Sequence, residues 1–447
     1  MIMKENGNSC SGTRMSKEGE TMREDLVTRT QRLLAPSLVI HSDIVVKRGH
    51  GVYLESVDGK RYLDFTSGLA VANVGHSHPK IVEAIKKQAE ELVHAGCMFY
   101  YEPLAEYPER LKEVTPPGLD RFFFSNSGAE AIEGALKLAR YFTGRQGILA
   151  FSGAFHGRTY GALSLTASNA KYRNRYAPLL PSVYHAPYPY CYRCDIGREP
   201  ETCSLECFGH VETLLNRLIA PEEIACAVIE PMLGEGGYVV PPARYLKKLR
   251  KLCDREGILL IFDEVQSGMG RTGRWFASEH FGIVPDIMTL AKGIANGMPL
   301  SAVVSSGRIM DGWAPGTHGT TFGGNPVSLC AAAATLRVIE EERLLENAAV
   351  VGSKALERLE SMKDRHPVIG DVRGRGLMIG VEFVREGKEP DRATVEKIMK
   401  TCLDRGLLLV ECGGDKNILR LIPPLVITRE EMDHGLDILE EAIVKSA

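Results

Sequence analysis

Four short, mostly apolar runs recur along the chain, each followed by small or polar residues. The runs span residues 121–124, 147–151, 224–229 and 258–262. Continuous apolar segments of this length are typical of strands buried on both faces of a parallel sheet. Before and between them lie stretches with apolar residues at helical spacing, of which Lys80 to Val93 is the clearest. The pattern predicts a large α/β domain.

A different pattern flanks this region on both sides. Leu38 to Asp64 predicts short strands joined by turns, with Asp58-Gly59 as one hairpin turn. After a long helix predicted over Val327 to Glu342, residues 370–383 alternate as one strand. Helical periodicity over Ala393–Arg405 and Arg429–Val444 completes the chain. The last quarter is therefore predicted to be a separate, smaller domain.

Two isolated charged residues stand where a parallel sheet binds ligands. Asp263 directly follows the run 258–262, and Lys292 is the only charged residue between Asp286 and Arg308. A lysine in a dry pocket has a lowered pKa, so its neutral amine becomes a nucleophile. A snorkelling lysine and a capping or metal-binding aspartate are the alternatives. A lysine together with an aspartate at a strand end favours pyridoxal 5'-phosphate (PLP), whose ring nitrogen needs an acidic partner.

A phosphate site is predicted between two of these elements. The segment Ser125 to Ala131 is a turn of small residues between the run 121–124 and a helical stripe that ends near Ala139. The first N–H groups of a helix have no partner within the helix, and the helix dipole favours an anion there. The segment can therefore hold the phosphate of a cofactor.

Three longer motifs identify a family resemblance. The segments Asp263-Glu-Val-Gln266, Thr289-Leu-Ala-Lys-Gly293 and Thr320-Thr-Phe-Gly-Gly-Asn-Pro326 resemble those of the class III (ω-amino acid) aminotransferases of PLP fold type I. The resemblance runs from about Leu38 to the C-terminus. It implies a large domain with a mostly parallel seven-stranded sheet and a smaller α+β domain. It also implies that Lys292 holds PLP as a Schiff base and, with Asp263, forms the catalytic pair.

The resemblance assigns further residues to the cofactor. Ser127, Gly128 and Ala129 would bind the phosphate, Phe155 would stack on the ring, and Gln266 would bond its phenolic oxygen. The residues implied to contact PLP besides Lys292 and Asp263 are Ser127, Gly128, Ala129, Phe155, His156, Glu230, Val265, Gln266 and Thr321. Thr321 would reach the phosphate of the other subunit. A homodimer, or a dimer of dimers, is therefore expected.

The substrate side of the site is implied in the same way. Arg158 and Arg420 would bind carboxylates, because a planar guanidinium holds a carboxylate by two hydrogen bonds. Glu235 would pair with Arg420 and release it when a dicarboxylate arrives, and Leu69 would face the substrate. Leu233 departs from the glutamine that the family often has beside this glutamate, and its effect on the pocket stays open.

These residues predict an amino acid and a 2-oxo acid as substrates. The expected reaction moves the amino group of an ω-amino acid, with 4-aminobutyrate as the best candidate, to 2-oxoglutarate. Acetylornithine or ornithine aminotransferase activity is one alternative. An amino-acid racemase on the same fold is another, because the choice depends on where a proton is returned and not on the motifs.

The predicted boundaries follow from both lines of reasoning. Residues 1–21 are polar and lack the apolar core of a signal peptide, so a disordered tail or an over-extended start is expected there. Residues 22–75 would pack with the small domain, 76–335 would form the PLP-binding domain, and 336–447 the small domain. A cysteine-rich insertion, 187–210, interrupts the large domain.

The composition limits the kinds of partner that are expected, but it does not indicate a function. The 447 residues are 44% hydrophobic and 25% charged, with a formal net charge of −3. This near-neutral balance gives no electrostatic reason to expect nucleic acid or an anionic membrane as a partner. No apolar run approaches the length of a membrane span, so a cytoplasmic enzyme is expected.

The insertion contains four of the chain's eleven cysteines. Cys191, Cys194, Cys203 and Cys207 have a spacing close to that of a four-thiolate zinc knuckle. A structural metal, two disulfides and four free thiols are all compatible with this spacing. A catalytic metal is not expected, because four thiolates leave no open position.

Overall fold

The structure is a computed structural model that describes residues 17–446. Helices occupy much of this part of the chain. They are α1 (Lys17–Leu33), α2 (Ser67–Ala70), α3 (Pro79–Glu91), α4 (Glu102–Val114), α5 (Gly128–Thr143), α6 (Tyr160–Leu165), α7 (Gly209–Arg217), α8 (Ala243–Glu256), α9 (Gly307–Met310), α10 (Pro326–Glu341), α11 (Leu344–Arg365), α12 (Arg392–Asp404) and α13 (Arg429–Ser446).

The strands form three sheets. They are β1 (Val46–His50), β2 (Tyr53–Ser56), β3 (Arg61–Asp64), β4 (Arg121–Ser125), β5 (Gly147–Phe151), β6 (Val183–Ala186), β7 (Ile224–Ile229), β8 (Leu259–Asp263), β9 (Ile287–Leu290), β10 (Ser301–Ser305), β11 (Ile369–Arg375), β12 (Met378–Phe383), β13 (Leu407–Leu408), β14 (Val410–Cys412) and β15 (Ile418–Leu421).

The central sheet has seven strands in the order β4-β10-β9-β8-β7-β5-β6. All neighbours pair in parallel except that β10 runs antiparallel to β4 and β9. Alternate side chains of β7 serve two cores: Ala227 and Ile229 pack with α8, whereas Cys226 and Val228 pack with α5. Helices on both faces explain why these strands are apolar throughout. The predicted seven-stranded, mostly parallel sheet is confirmed.

The smaller domain contains an antiparallel sheet, β11-β12-β15-β14, against which α11 and α12 pack. The prediction of a single strand over residues 370–383 was wrong, because β11 and β12 form a hairpin. Gly376, with φ of 55°, lies between the two strands. A glycine tolerates this left-handed conformation, so the alternating sequence can reverse direction there.

The N-terminal segment shares a sheet with the C-terminal part of the chain. The order is β1-β2-β3-β13, and β13 pairs in parallel with β3. The expected tail of residues 1–21 lies outside the described residues up to position 16. Residues 17–21 are the beginning of α1. In residues 17–446, no helix is long and apolar enough to span a membrane.

One short element is left-handed. Ser67, Gly68, Leu69 and Ala70, which form α2, have φ values of 40°, 63°, 66° and 64°. Residues other than glycine adopt this conformation at a cost of about 1–2 kcal/mol each, because they carry a Cβ. The turn lies against the segment that begins at Lys292 and presents Leu69, which is 45% exposed.

A buried arginine joins all three parts of the chain. Arg271 in the large domain is fully buried. It donates to the carbonyl oxygens of Leu377 and Pro423 in the smaller domain, and to Asn73 Oδ1 (2.7 Å) and Ser67 Oγ (3.4 Å) in the N-terminal segment. Burial lowers the pKa of Arg271 to about 10. These bonds fix how the three parts meet behind Lys292.

Candidate active site

The parallel strands bring the two predicted catalytic residues to one edge of the central sheet. Asp263 is the last residue of β8, and Lys292 begins a short 3-10 turn just after β9. Burial lowers the pKa of Lys292, although the charges of Asp263 and Glu230 oppose this effect. Lys292 therefore loses its proton more easily than a lysine in water, and its neutral amine is more populated. Position 293, directly after Lys292, accepts only glycine, because a Cβ on Gly293 would lie 2.3 Å from the Asn73 side-chain amide.

Asp263 is held by three donors. His156 Nδ1 lies 2.6 Å from Oδ2, while Thr289 Oγ1 (3.1 Å) and the N–H of Val265 (3.0 Å) donate to Oδ1. Burial opposes charge on His156, but the hydrogen bond and charge of Asp263 outweigh it and raise the pKa of His156. Together these three contacts fix the orientation of the Asp263 carboxyl group.

The turn between β4 and α5 has free donors for an anion. Ser127 is the N-cap residue of α5, and its Oγ accepts from the N–H of Glu130 at 3.3 Å. Gly128 and Ala129 follow as the first two residues of the helix, where N–H groups lack an intrahelical partner. A Cβ at Gly128 would lie 2.9 Å from Val265 Cγ1, so the turn and the segment after β8 touch.

Glu230 ties together two loops at the cleft. Its buried carboxyl group accepts hydrogen bonds from the N–H groups of Phe155 (2.9 Å) and Gly234 (2.7 Å). Burial raises the pKa of Glu230 to about 7. The loop with Gly234 also approaches Gln266, whose Oε1 would be 2.6 Å from a Cβ at Gly234. Glu230 thus holds the loops that contain Phe155 and Gly234 together at the cleft.

The unpaired atoms of the cleft fit PLP. Among the described residues, the buried atoms His156 Nε2 and Gln266 Oε1 have no hydrogen-bond partner. The Gln266 amide can turn its N–H₂ toward a phenolic oxygen, since its two orientations are interchangeable. A phosphate fits the start of α5, an aldehyde carbon can meet Lys292, and a ring nitrogen can meet Asp263. Each polar group of the cofactor therefore has a matching residue.

A second set of residues forms the wall of the cleft. Arg420 Nη1 lies 2.9 Å from Glu235 Oε2, and the side chains are 6% and 27% exposed. Arg420 also donates to the carbonyl oxygen of Glu411 at 2.9 Å, while its Nε is buried without a partner among the described residues. The hydroxyl of Tyr172 donates to Glu235 Oε1 at 3.1 Å. Glu235 is thus bonded through both oxygens.

The cleft opening contains aromatic rings and a free cation. Phe155 is partly buried and its ring meets that of Tyr172 edge to face, with centroids 5.4 Å apart. Arg158 is exposed and lies over the Tyr172 ring at 4.6 Å. No carboxylate of residues 17–446 forms an ion pair with Arg158, so the guanidinium is available to an incoming one.

Thr321 lies on an exposed, apolar face. Its neighbour Phe322 is 62% exposed and contacts the His94 ring at 5.3 Å. Phe99 and Tyr100 on the adjoining loop are also largely exposed. On the inner side, Thr320 accepts a hydrogen bond from Asn126, which lies in the turn between β4 and α5. This face therefore adjoins the cleft.

The cysteine-rich insertion contains free thiols. Its four cysteines line one cavity of about 230 Å³, and none forms a disulfide. In the described part of the chain no three His, Cys, Asp or Glu side chains are arranged to hold a metal ion. Burial and then the neighbouring thiols raise the pKa of Cys207 to about 11. Arg193 pairs with Glu382 of β12, which anchors the insertion to the smaller domain.

The fold and the cleft define a PLP-dependent enzyme of fold type I. The chain belongs to the class III aminotransferase family, whose model, described as aminotransferase class-III, matches residues 36–443. The predictions of family, fold class, cofactor and a PLP-dependent class III transaminase are confirmed. The substrate is not fixed by family membership.

Its relatives carry different activities in their names. The chain is 41% identical to a leucine/methionine racemase of Thermococcus litoralis, over 94% of this chain and 95% of that protein. It is 40% identical to a probable 4-aminobutyrate aminotransferase of Bacillus subtilis, over 89% and 92%. It is 42% identical to an acetylornithine aminotransferase of Methanocaldococcus jannaschii, over 90% and 94%.

A solved structure supports the fold and the cofactor. A PLP-bound amine transaminase from an uncultivated Pseudomonas species superposes with a TM-score of 0.86 at 34% identity. The superposition covers 93% of this chain and 98% of that one. The similarity therefore extends over both domains.

Two contributors to the cleft were not predicted from the sequence. Tyr172 contacts Glu235 across 63 residues and ends a short polar turn that has no periodic pattern. Thr289 bonds Asp263 from the neighbouring strand. Its position could have been inferred, because β8 and β9 pair in parallel with Thr289 opposite Asp263.

Proposed function

We propose that the enzyme transfers the terminal amino group of an ω-amino acid, with 4-aminobutyrate as the best candidate, to 2-oxoglutarate. The observation that supports this most directly is the ion pair between Glu235 and Arg420. While the pair is closed, the charge of Arg420 is neutralised and the wall suits the methylene chain of an ω-amino acid. When the pair opens, Arg420 can bind the α-carboxylate of 2-oxoglutarate. One cleft then accepts two differently charged substrates in turn.

Each residue of the cleft has a part in this proposal. PLP, when bound, supplies an electron sink for the carbon that bears the amine. Ser127, Gly128 and Ala129 hold the phosphate, and Asp263 keeps the ring nitrogen protonated. Lys292 Nζ anchors the cofactor and then removes and returns the proton at the amine-bearing carbon, which its lowered pKa makes possible. Arg158 binds the distal carboxylate at the opening.

The proposal includes a homodimer. The apolar face with Phe99, Tyr100 and Phe322 is larger than a single exposed side chain, and it adjoins the phosphate turn. A second copy of the chain on this face would bring Thr321 of one protomer to the phosphate site of its partner. Sedimentation of the PLP-loaded protein as a monomer at micromolar concentration would count against this arrangement.

A second function is favoured by one specific observation. The chain is as similar to a leucine/methionine racemase as it is to aminotransferases, over nearly its full length. A racemase would use the same Lys292 and Asp263, but would return the proton to the α-carbon on the opposite face. Such a reaction needs no 2-oxo acid.

The deciding experiment incubates the PLP-loaded enzyme with a panel of amino acids, with and without 2-oxoglutarate, followed by chiral chromatography. The proposal predicts glutamate that appears only with an ω-amino acid and 2-oxoglutarate together. A D-amino acid formed from an L-amino acid without any oxo acid would establish the racemase instead. The Lys292→Ala variant controls for uncatalysed exchange, since it lacks the amine that moves the proton.

A further inference from the structure

Tyr172 occupies a central position among the groups that bind carboxylates. Its hydroxyl donates to Glu235 Oε1 at 3.1 Å, while Glu235 Oε2 pairs with Arg420 Nη1 at 2.9 Å. The two oxygens of one carboxylate are therefore held by two different donors. We call Glu235 and Arg420 the carboxylate gate.

The ring of Tyr172 is held in place from two sides. It packs edge to face on Phe155 at 5.4 Å, and the Arg158 guanidinium lies over it at 4.6 Å. Such contacts between a guanidinium and an aromatic face are attractive. The hydroxyl is thus directed at Glu235 and has little freedom to turn away.

The hydroxyl also keeps its proton. Burial, and then the charge and hydrogen bond of Glu235, raise the pKa of Tyr172 to about 12. The group therefore stays a donor at every pH where the enzyme is expected to work. A tyrosinate, which would repel Glu235, is avoided.

We propose that Tyr172 is a positioning residue that holds Glu235 on Arg420 and so sets how readily the carboxylate gate opens. This inference rests on the proposed function, in which the gate opens for a dicarboxylate. Both bonds to Glu235 break on opening, so the hydroxyl stabilises the closed state. Its presence favours the ω-amino acid and weakens binding of the 2-oxo diacid.

Removal of the hydroxyl alone tests this step. In Tyr172→Phe the ring still packs on Phe155 and under Arg158, but Glu235 loses one donor. A hydrogen bond to a charged group typically changes an equilibrium by about tenfold or more. We therefore expect the Kd for glutarate, a dicarboxylate that cannot react, to fall about tenfold in this variant.

The measurement is calorimetric titration of the PLP-loaded protein with glutarate. Tyr176→Phe is the matched control, because Tyr176 lies four residues away, is 51% exposed, and should leave the Kd unchanged. In steady-state assays, Tyr172→Phe should lower KM for 2-oxoglutarate and raise KM for the ω-amino acid. A general loss of structure would instead raise KM for both substrates.

A double-mutant cycle with Glu235→Gln isolates the contact. In that background Arg420 is already released, so adding Tyr172→Phe should have no further effect on glutarate binding. An equal effect of Tyr172→Phe in both backgrounds would overturn the proposal, as would an unchanged Kd in the single variant. Failure of glutarate to bind any variant, including Glu235→Gln, would also overturn it, because Arg420 would then not bind carboxylates.

The test separates failure of this inference from failure of the proposed function. Glutarate binding needs no turnover, so the titration reports on the gate even if the enzyme is a racemase. Transamination with an unchanged Kd in Tyr172→Phe would leave the proposed function standing and remove only the role of Tyr172.

Discussion

The buried carboxyl group of Glu230 makes the stability of the protein depend on pH. Burial raises its pKa from about 4.5 to about 7 in the folded state, whereas the unfolded chain titrates near 4.5. The folded state therefore binds a proton more tightly than the unfolded state. The resulting stabilisation is fully present below about pH 4.5 and is lost as pH rises to about 7.

The size of the effect follows from the two pKa values. One unit of pKa corresponds to about 1.4 kcal/mol, so a difference between about 4.5 and about 7 amounts to about 3 kcal/mol. Glu230→Gln cannot titrate and should not show this loss. Independently of pH, the substitution should lower the unfolding free energy by about 1–3 kcal/mol, because the glutamine amide cannot accept hydrogen bonds from both Phe155 and Gly234.

Urea unfolding of the cofactor-free protein, followed by circular dichroism, measures both effects. Between about pH 5 and about pH 8, the wild type should lose about 2.5 kcal/mol more unfolding free energy than Glu230→Gln. Glu264→Gln is a matched control, since burial also raises the pKa of Glu264 to about 7 while its carboxyl accepts from Ala277 and Ser278. Like Glu230→Gln, Glu264→Gln should therefore lose less unfolding free energy than the wild type over this pH range.

Only Glu230→Gln should also weaken PLP binding, because Glu230 supports the Phe155 loop. Fluorescence titration with PLP gives this second readout. A difference between wild type and Glu230→Gln that does not change with pH would refute the reasoning about burial. Equal loss of PLP affinity in Glu264→Gln would refute the role of Glu230 in supporting the cleft.

Replacing Gly128 by Ala should weaken PLP binding by about tenfold, because the new Cβ would lie 2.9 Å from Val265 Cγ1; a titration in which Val265→Ala fails to restore affinity would contradict this. Arg271→Met should lower the unfolding free energy in urea by about 3–5 kcal/mol, since buried acceptors lose their donor, and a loss under about 1 kcal/mol would be inconsistent with this role. Phe322→Asp should shift sedimentation from dimer to monomer, with an unchanged circular dichroism spectrum, if the exposed apolar face joins two copies.

The strands, and the positions of Asp263 and Lys292 at one edge of the sheet, could be predicted because their signals are local. Asp263 ends a fully apolar run and Lys292 stands alone among apolar and small residues, so each is conspicuous in a short window. The hairpin at Gly376 was missed for the same reason: the alternation of residues 370–383 continues through a turn that only the backbone conformation reveals. Local patterns thus predict elements better than they predict reversals between them.

Contacts between distant loops were beyond such reasoning. Tyr172 ends the short turn 170–172 and meets Glu235, 63 residues further along the chain, and no periodicity in the sequence indicates this contact. The state of the four clustered cysteines was equally open, since their spacing suits a metal, disulfides or free thiols; among the described residues none of the four forms a disulfide. The choice between transaminase and racemase depends on the face and the carbon to which Lys292 returns a proton. This is a matter of small displacements within one shared set of residues.

The left-handed turn at residues 67–70 bears on how this enzyme can be engineered. Glycine would occupy position 69 at lower cost than Leu69, by about 1–2 kcal/mol, yet the chain keeps a branched side chain there. Strain retained in a turn that lies against the Lys292 segment is typical of a functional site. Directed evolution for heat tolerance alone should therefore enrich Leu69→Gly, and the enriched clones should discriminate less between substrates of different chain length.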